Sequence, residues 1–281
     1  MERLTFADVV NHKLLERGER NRELYKLRFY DASKNARSFA GNNYLYHYQM
    51  ENLCKTRVGK RPSLFEIMND DELYAKLYKN AMKLKRTGNL ANRLFEAERY
   101  NGAVVFFKPT TAKYIYKKFG ATQVLDPTAG WGGRMLGAYA LGIEYTGIDT
   151  NINLKPAYDS MIAEMGKDNL SMIWDSCLNV DFSKIEYDFV LTSPPYLNLE
   201  MYENMTPFEN DKQFYTKFLI PLIQKCLLHI KPNGWVCFNI SPKMYSNLLS
   251  YGFRKADEEH DLLQQKRLGN DKQDKIYCWK Q

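Results

Sequence analysis

Two short stretches hold the side chains from which a reaction site could be built. The first is Gln123–Asn151, QVLDPTAGWGGRMLGAYALGIEYTGIDTN. Val124-Leu125 runs into an acid, Asp126. A turn with glycines at 130, 132 and 133 follows, then an apolar-periodic segment, then a short apolar run ending at Asp149. This pattern predicts strand, glycine turn, helix and strand, one βαβ unit. Asp126 falls at the carboxyl end of the first strand, where open α/β sheets bind ligands. Asp149 ends the next strand, where a carboxylate can take both hydroxyls of a ribose. Glycine removes the Cβ that would collide with a close ligand. The second stretch is Tyr187–Tyr202, YDFVLTSPPYLNLEMY. Phe189-Val190-Leu191 predicts a buried strand, and Ser193-Pro194-Pro195-Tyr196 follows it directly. Two prolines fix φ and remove two N–H donors, which ends the strand abruptly. Carbonyls, Ser193 and Tyr196 are then aimed past the strand end. Acceptors beside one aromatic face suit a planar group carrying an exocyclic NH2.

The spacing also excludes. A dinucleotide GxGxxG would need a third glycine at 135, where Met135 stands, and the Gly-Lys-Ser/Thr of a phosphate loop does not occur. The expected ligand has an adenosine but no pyrophosphate, and S-adenosylmethionine (SAM) fits that description. The plain alternatives are a glycine-rich turn with no ligand and an ordinary polar-proline turn after a strand. Order favours the functional reading. Ser193 follows the next strong strand after the βαβ unit, and doubly wound sheets place that strand beside the first.

DPTAGWGGR, then GIDTN, then SPPY resembles the SAM-dependent amino-methyltransferases, especially DNA methyltransferases acting on cytosine N4 or adenine N6. The extended forms GWGGR and SPPYLNLEMY resemble methylases carried by phages, mobile elements and large viruses. The resemblance covers about Phe106–Gln281 and nothing before. It implies an α/β class I SAM-methyltransferase fold, a Rossmann-like seven-stranded sheet. An antiparallel hairpin at about Arg254–Leu262 and Lys275–Lys280 would close that sheet. It implies SAM held by Lys108, Pro109 and Thr110, by Asp126, Thr128, Ala129, Gly130 and Gly132, by Asp149 and Thr150, and by Asp175 and Ser176. Asp175 would receive the adenine amine. It implies catalysis at Ser193, Pro194, Pro195 and Tyr196. Ser193 Oγ and the Pro194 carbonyl would hold the NH2 hydrogens and turn the nitrogen toward sp3, while Tyr196 stacks on the base. Serine at the first motif position leans toward cytosine N4. Cytosine C5 chemistry would want a Pro-Cys nucleophile, and the chain has no Pro-Cys. Glu200 and Tyr202 would line the base pocket, a solvated loop being the plain alternative.

The elements around these motifs follow from periodicity. Residues 1–29 have helical spacing. Ser63 and Glu66 form a capping box ahead of a helix, and Asn69–Glu72 can start another through Leu84. Leu90–Tyr100 is amphipathic. Helices are also expected at Ala112–Phe119, Pro156–Met165, Lys212–Ile230 and Ser241–Tyr251, with strands at Leu170–Trp174 and Trp235–Ile240. Residues 1–100 therefore read as a helical region and 101–281 as the methyltransferase domain. Only Ser176–Thr192 separates Asp175 from Ser193, so no recognition domain fits between them.

Composition sets limits. The 281 residues carry a net charge of +7 and 44% hydrophobic residues, with no apolar run of transmembrane length. The charged start is no signal peptide, and an intracellular protein is expected. The five cysteines form no CxxC pair, so no metal site is expected. Residues 1–100 hold 20 Lys+Arg against 13 Asp+Glu, and the remainder is balanced. A polyanion, DNA first, is the expected partner of the N-terminal part, with Arg57, Lys60 and Arg61 as its contacts. Aromatics interleaved with basic residues across Arg28–Arg61 could stack on bases, or could pack a helix–loop–helix onto the core. Oligomeric state is unknown from sequence. Rival activities are an RNA base-amine methyltransferase, a protein glutamine N-methyltransferase, and an inactive SAM-fold subunit that binds nucleic acid.

Overall fold

The computed structural model describes residues 3–33, 38–84, 88–100, 106–195, 208–261 and 274–281. Tyr196, Glu200 and Tyr202, expected at the site, lie outside the described residues.

The apolar runs become strands: β1 (Gln123–Asp126), β2 (Glu144–Asp149), β3 (Leu170–Trp174), β4 (Phe189–Thr192) and β5 (Trp235–Ile240). They pair in parallel. Strands β6 (Glu258–Asp261) and β7 (Lys275–Lys280) form the expected antiparallel hairpin, with β7 antiparallel to β5. The order across the sheet is β3-β2-β1-β4-β5-β7-β6. Chain direction across the sheet reverses between β1 and β4, the switch point at which a doubly wound sheet opens a crevice. Short, charged β6 occupies the edge, which discourages pairing with another chain.

The N-terminal hundred residues carry α1 (Phe6–Asn11), α2 (Arg17–Arg28), α3 (Asn42–Lys55), α4 (Leu64–Asn69), α5 (Asp71–Lys83) and α6 (Leu90–Tyr100). The helical stretch expected over 1–29 is thus two helices, each opened by a capping box, Thr5 with Asp8 and Glu16 with Glu19. The Ser63–Glu66 box forms as expected. Helix α3 buries Tyr44 and Tyr46, so these tyrosines pack the core and do not face solvent as base-stacking groups.

Helix α7 (Pro109–Phe119) leads into β1, α8 (Gly133–Leu141) into β2 and α9 (Lys155–Met165) into β3. On the other face, α10 (Asp211–Phe214) passes through a π-helical turn, Tyr215–Leu219, into α11 (Ile220–His229). The expected single helix over 212–230 therefore carries a bulge just ahead of Pro221. Proline lacks the N–H and its ring opposes the carbonyl four residues back, and a widened turn relieves both. Helix α12 (Pro242–Ser250) completes that layer.

One apolar cluster runs from the N-terminal helices through α7, α8 and α9 to Val124, Tyr145, Phe189, Leu191 and Cys237 on one sheet face. A second joins α10–α12 to Leu125, Ile148, Val190, Val236 and Phe238 on the other. Polar ties reinforce the first. Buried Lys113 donates to the carbonyls of Leu27, Arg28 and Tyr30 at 2.9, 2.7 and 2.8 Å, capping α2. Arg20 pairs with Glu164 at 2.7 Å, and Tyr48 donates to the same carboxylate at 2.7 Å. Helix α7 lies across β4 and β5, with Tyr116 and Phe119 against Phe189 and Phe119 against Trp235. It runs antiparallel to the strand it feeds, so its first turn sits over the carboxyl edge.

Among the described residues no helix is long and apolar enough to cross a membrane, no cluster of metal-binding side chains forms, and all five cysteines are free and buried.

The tightest contact joins α8 to the residue pair ahead of α7. A Cβ on Gly133 would lie 1.8 Å from the Phe107 carbonyl oxygen, which is backbone and cannot step aside cheaply. Gly133→Ala is expected to lower stability by about 1–3 kcal/mol, as overpacking does. Urea unfolding checks this, and an unchanged midpoint would contradict the packing.

Candidate functional site

The loop after β1 is fixed by one buried ion pair. Asp126 Oδ2 accepts from Arg134 Nε at 2.7 Å and from the Tyr145 hydroxyl at 2.7 Å. Its Oδ1 accepts from the Thr192 hydroxyl at 2.8 Å. Asp126 is 0% exposed and Arg134 4%. Arg134 also donates to the Thr128 carbonyl at 2.5 Å, which clamps the loop from inside. Burial pulls the Arg134 pKa down, but Asp126 beside it raises it more, and the net shift is upward. Burial also holds the Tyr145 phenol well above its ordinary range, so it donates as a neutral hydroxyl. The expectation that Asp126 touches a ligand needs correction. Both its oxygens face inward donors, and it acts on the loop.

Asp149, at the tip of β2, is partly exposed and better placed to meet a ligand. Its Oδ2 accepts from Gly130 N at 2.8 Å and its Oδ1 from Asn151 N at 2.9 Å. Each carboxylate oxygen keeps accepting capacity, since each has two lone pairs. Burial pushes the Asp149 pKa up, and the two N–H donors oppose it. Gly130 has φ +58°, and a Cβ there would meet nothing nearer than 4.0 Å, so this glycine faces open space. Gly132 is different: its Cβ position lies 3.2 Å from Met161 Cε and 3.6 Å from Leu45. Of the loop glycines, only Gly130 combines a left-handed backbone with an open side. Tyr158 holds the loop from below, donating to the Gly130 carbonyl at 2.9 Å. Ala129 is buried, with its N–H on the Ile148 carbonyl.

At the switch point β4 ends beside β1. Thr128 N donates to Thr192 Oγ1 at 3.1 Å, and the two hydroxyl oxygens lie 2.6 Å apart. Ser193 and Pro194 therefore leave the sheet on the same edge as the glycine loop. Asn239 on β5 donates its Nδ2 to Ser193 Oγ at 3.1 Å. Asn239 is 4% exposed, and among the described residues its Oδ1 has no partner. A buried unpaired amide oxygen costs about 1–3 kcal/mol, so its presence at a cleft wants a reason.

The other expected residues divide. Asp175 is exposed at the tip of β3, its Oδ1 accepting from Ser176 N at 2.6 Å and from Asn179 at 3.1 Å. Thr150 is exposed next to Asp149. Lys108, Pro109 and Thr110 open α7 and are buried beneath residues 38–41. Lys108 Nζ lies 4.9 Å from the Phe39 ring centroid, and Thr110 donates to the Ser38 carbonyl at 3.4 Å. Arg57 pairs with Glu66, Nε to Oε2 at 2.8 Å. Arg57, and then the Ser63 N–H, pull the Glu66 carboxyl down to about 2. Lys60 and Arg61 are exposed. Leu45 on α3 touches the glycine loop, while Arg57, Lys60 and Arg61 follow the end of that helix at Lys55. Of these three basic residues, Arg57 is thus already paired at the surface.

Sequence reasoning missed Arg134, Tyr145, Thr192 and Asn239. Asn239 had a signal, a lone amide in the apolar run WVCFNI. Arg134 had another, a cation opening an otherwise apolar helix.

A seven-stranded sheet in this order, closed by an antiparallel hairpin and bearing a glycine turn at its switch point, defines a class I SAM-methyltransferase fold, Rossmann-like, with a helical extension before it. No protein-family model matches the chain, and no curated protein matches it in sequence. It is similar to solved structures. One is an rRNA methylase from Streptococcus thermophilus, with 13% identity over 62% of this chain and 97% of that one and a TM-score of 0.40. Another is TrmN from Thermus thermophilus, with 13% identity over 74% and 78% and a TM-score of 0.44. A third is an RNA methyltransferase from Salinibacter ruber in complex with S-adenosyl-L-homocysteine, with 14% identity over 63% and 93% and a TM-score of 0.40. Likenesses this distant add no weight, and the fold assignment rests on the strand order.

Asp126→Ala strands a buried guanidinium and is expected to cost about 3–5 kcal/mol. Asp126→Ala combined with Arg134→Met is expected to recover part of that loss in urea unfolding. Strict additivity of the two single losses would contradict the pairing.

Proposed function

We propose that this chain is a SAM-dependent methyltransferase acting on an exocyclic amine of a nucleic-acid base, with cytosine N4 of DNA the first target and adenine N6 the second. One observation carries this reading. The tips of β1 and β4 are neighbours, tied by Thr128 and Thr192, so open Gly130 and Ser193 share one edge of the sheet. The residues present fit the cofactor. Gly130 leaves room for close approach, Asp149 keeps accepting capacity for two hydroxyls, and exposed Asp175 can accept an amine. Bound SAM supplies an electrophilic methyl group.

The chain's own task is positioning. An exocyclic amine is a weak nucleophile because its lone pair delocalises into the ring. Ser193 Oγ and the Pro194 carbonyl accept its hydrogens, which localises that lone pair, and the proton released goes to solvent. Oriented reactants gain on the order of 7–11 kcal/mol. Asn239 fixes Ser193 by its Nδ2 and offers Oδ1 as a further acceptor for the same NH2, which gives that unpaired oxygen a purpose. Asp126 and Arg134 hold the loop that frames the methyl donor. The basic excess of residues 1–100 favours a polyanionic substrate.

Incubation with radiolabelled SAM and DNA, RNA or protein, then digestion and mass spectrometry, tests the reading directly. Label on a base amine is expected, whereas label confined to glutamine would sink it. Ser193→Ala should cut turnover on the order of a hundred-fold with SAM affinity nearly unchanged. Asn239→Leu should do the same while leaving the melting temperature unchanged or higher, because it removes a buried amide oxygen that has no partner among the described residues. Equal losses in turnover and stability would point to packing alone.

Asp149 predicts a pH effect. Its raised pKa means that acidification protonates it above the ordinary value of 3.8. SAM affinity measured by calorimetry should then fall as pH drops toward that range, and Asp149→Asn should show a flat profile. For stability the sign is opposite. The folded state binds this proton more tightly than the unfolded chain, so the destabilisation is absent below 3.8 and complete above the raised pKa.

A further inference from the structure

We infer that the exposed face of α2, together with Phe39, is the docking surface for an unpaired nucleic-acid strand entering the Ser193 side of the cleft. This rests on the reading above and names the form of substrate it takes.

Arg22, Tyr25 and Phe29 fall three and four residues apart, which puts them on one stripe of the helix. Tyr25 is 63% exposed, Phe29 66% and Phe39 62%. The Tyr25 and Phe29 rings lie against each other with centroids 4.4 Å apart. Among the described residues Arg22 and Arg28 have neither an ion pair nor a hydrogen bond from their side chains, and both are exposed. Large exposed aromatics beside free guanidinium groups match the chemistry of a single strand: ring faces for bases and cations for phosphates. Duplex bases are already stacked inside the helix and cannot use such a platform.

Location completes the case. Lys113 fastens the C-terminal end of α2 to α7. Residues 38–41 lie on the first turn of α7, with a Cβ on Gly41 coming 3.4 Å from Pro109. Helix α7 rides on β4 and β5, and Ser193 follows the end of the first while Asn239 is the penultimate residue of the second. The end of the aromatic stripe at Phe29 is therefore held beside α7, whose first turn sits over the carboxyl edge.

Fluorescence anisotropy tests this with a labelled mixed-sequence oligodeoxynucleotide, its duplex, and the matching oligoribonucleotide. The single strand is expected to bind more tightly than the duplex, and the two single-stranded arms show which sugar is preferred. Tyr25→Ala with Phe29→Ala should raise the single-strand Kd about ten-fold or more. Arg22→Glu with Arg28→Glu should flatten the dependence of log Kd on log salt by at least about 1.4. Both double variants should keep wild-type SAM affinity by calorimetry, which guards against misfolding. Wild-type Kd in both variants would overturn the docking face and leave the substrate reading standing. A wild-type protein that binds SAM but no oligonucleotide would overturn both. Self-association in sedimentation that disappears in the Tyr25/Phe29 variant would assign the face to a second copy and overturn the proposal.

Discussion

The candidate site depends on a carboxylate that never reaches it. Asp126 gathers Arg134, Tyr145 and Thr192, which come from α8, β2 and β4. One buried charge thus ties together both strands flanking β1 and the helix that follows it. Such a pair is weak evidence of net stability, because desolvating two ions offsets much of their attraction. What it supplies is geometry. With Arg134 also on the Thr128 carbonyl, the loop has little freedom to slide along the edge. The groups that can meet a ligand, Asp149, Gly130 and Ser193, are then set by what surrounds them.

The N-terminal helices belong to the same construction. They share an apolar cluster with one face of the sheet, and Leu45 and Phe107 press on the glycines that open α8. The segment without family resemblance therefore shapes the glycine loop from behind. Two of the three glycines are required by the protein's own packing, and the third, Gly130, by its left-handed backbone.

Much of this was legible in the residues. Apolar runs ending in Asp126, Asp149 and Thr192 predicted strands because buried parallel strands are near-continuous apolar segments. The closing hairpin also appeared, though from resemblance and not from periodicity. Capping boxes marked helix starts because they satisfy local donors with local side chains. What sequence could not show was the direction in which a side chain faces once strands pair. Asp126 and Asp149 look alike as acids at strand ends, yet one is sealed between three donors and the other opens outward. The basic residues carry a similar ambiguity: Arg57 counts as a charge in composition, but in the fold it pairs with Glu66. The tyrosines of α3 read equally well as base contacts or as core, and tertiary burial decided for the core.

The tie between Arg20 and Glu164 spans 144 residues of chain. On a ribosome adding about 5–20 residues per second, α2 must wait roughly 7–30 s for its acidic partner to emerge. Through that interval Leu24, Leu27 and Leu45 have no sheet to cover them, and the most exposed stage in the life of this protein falls during its own translation.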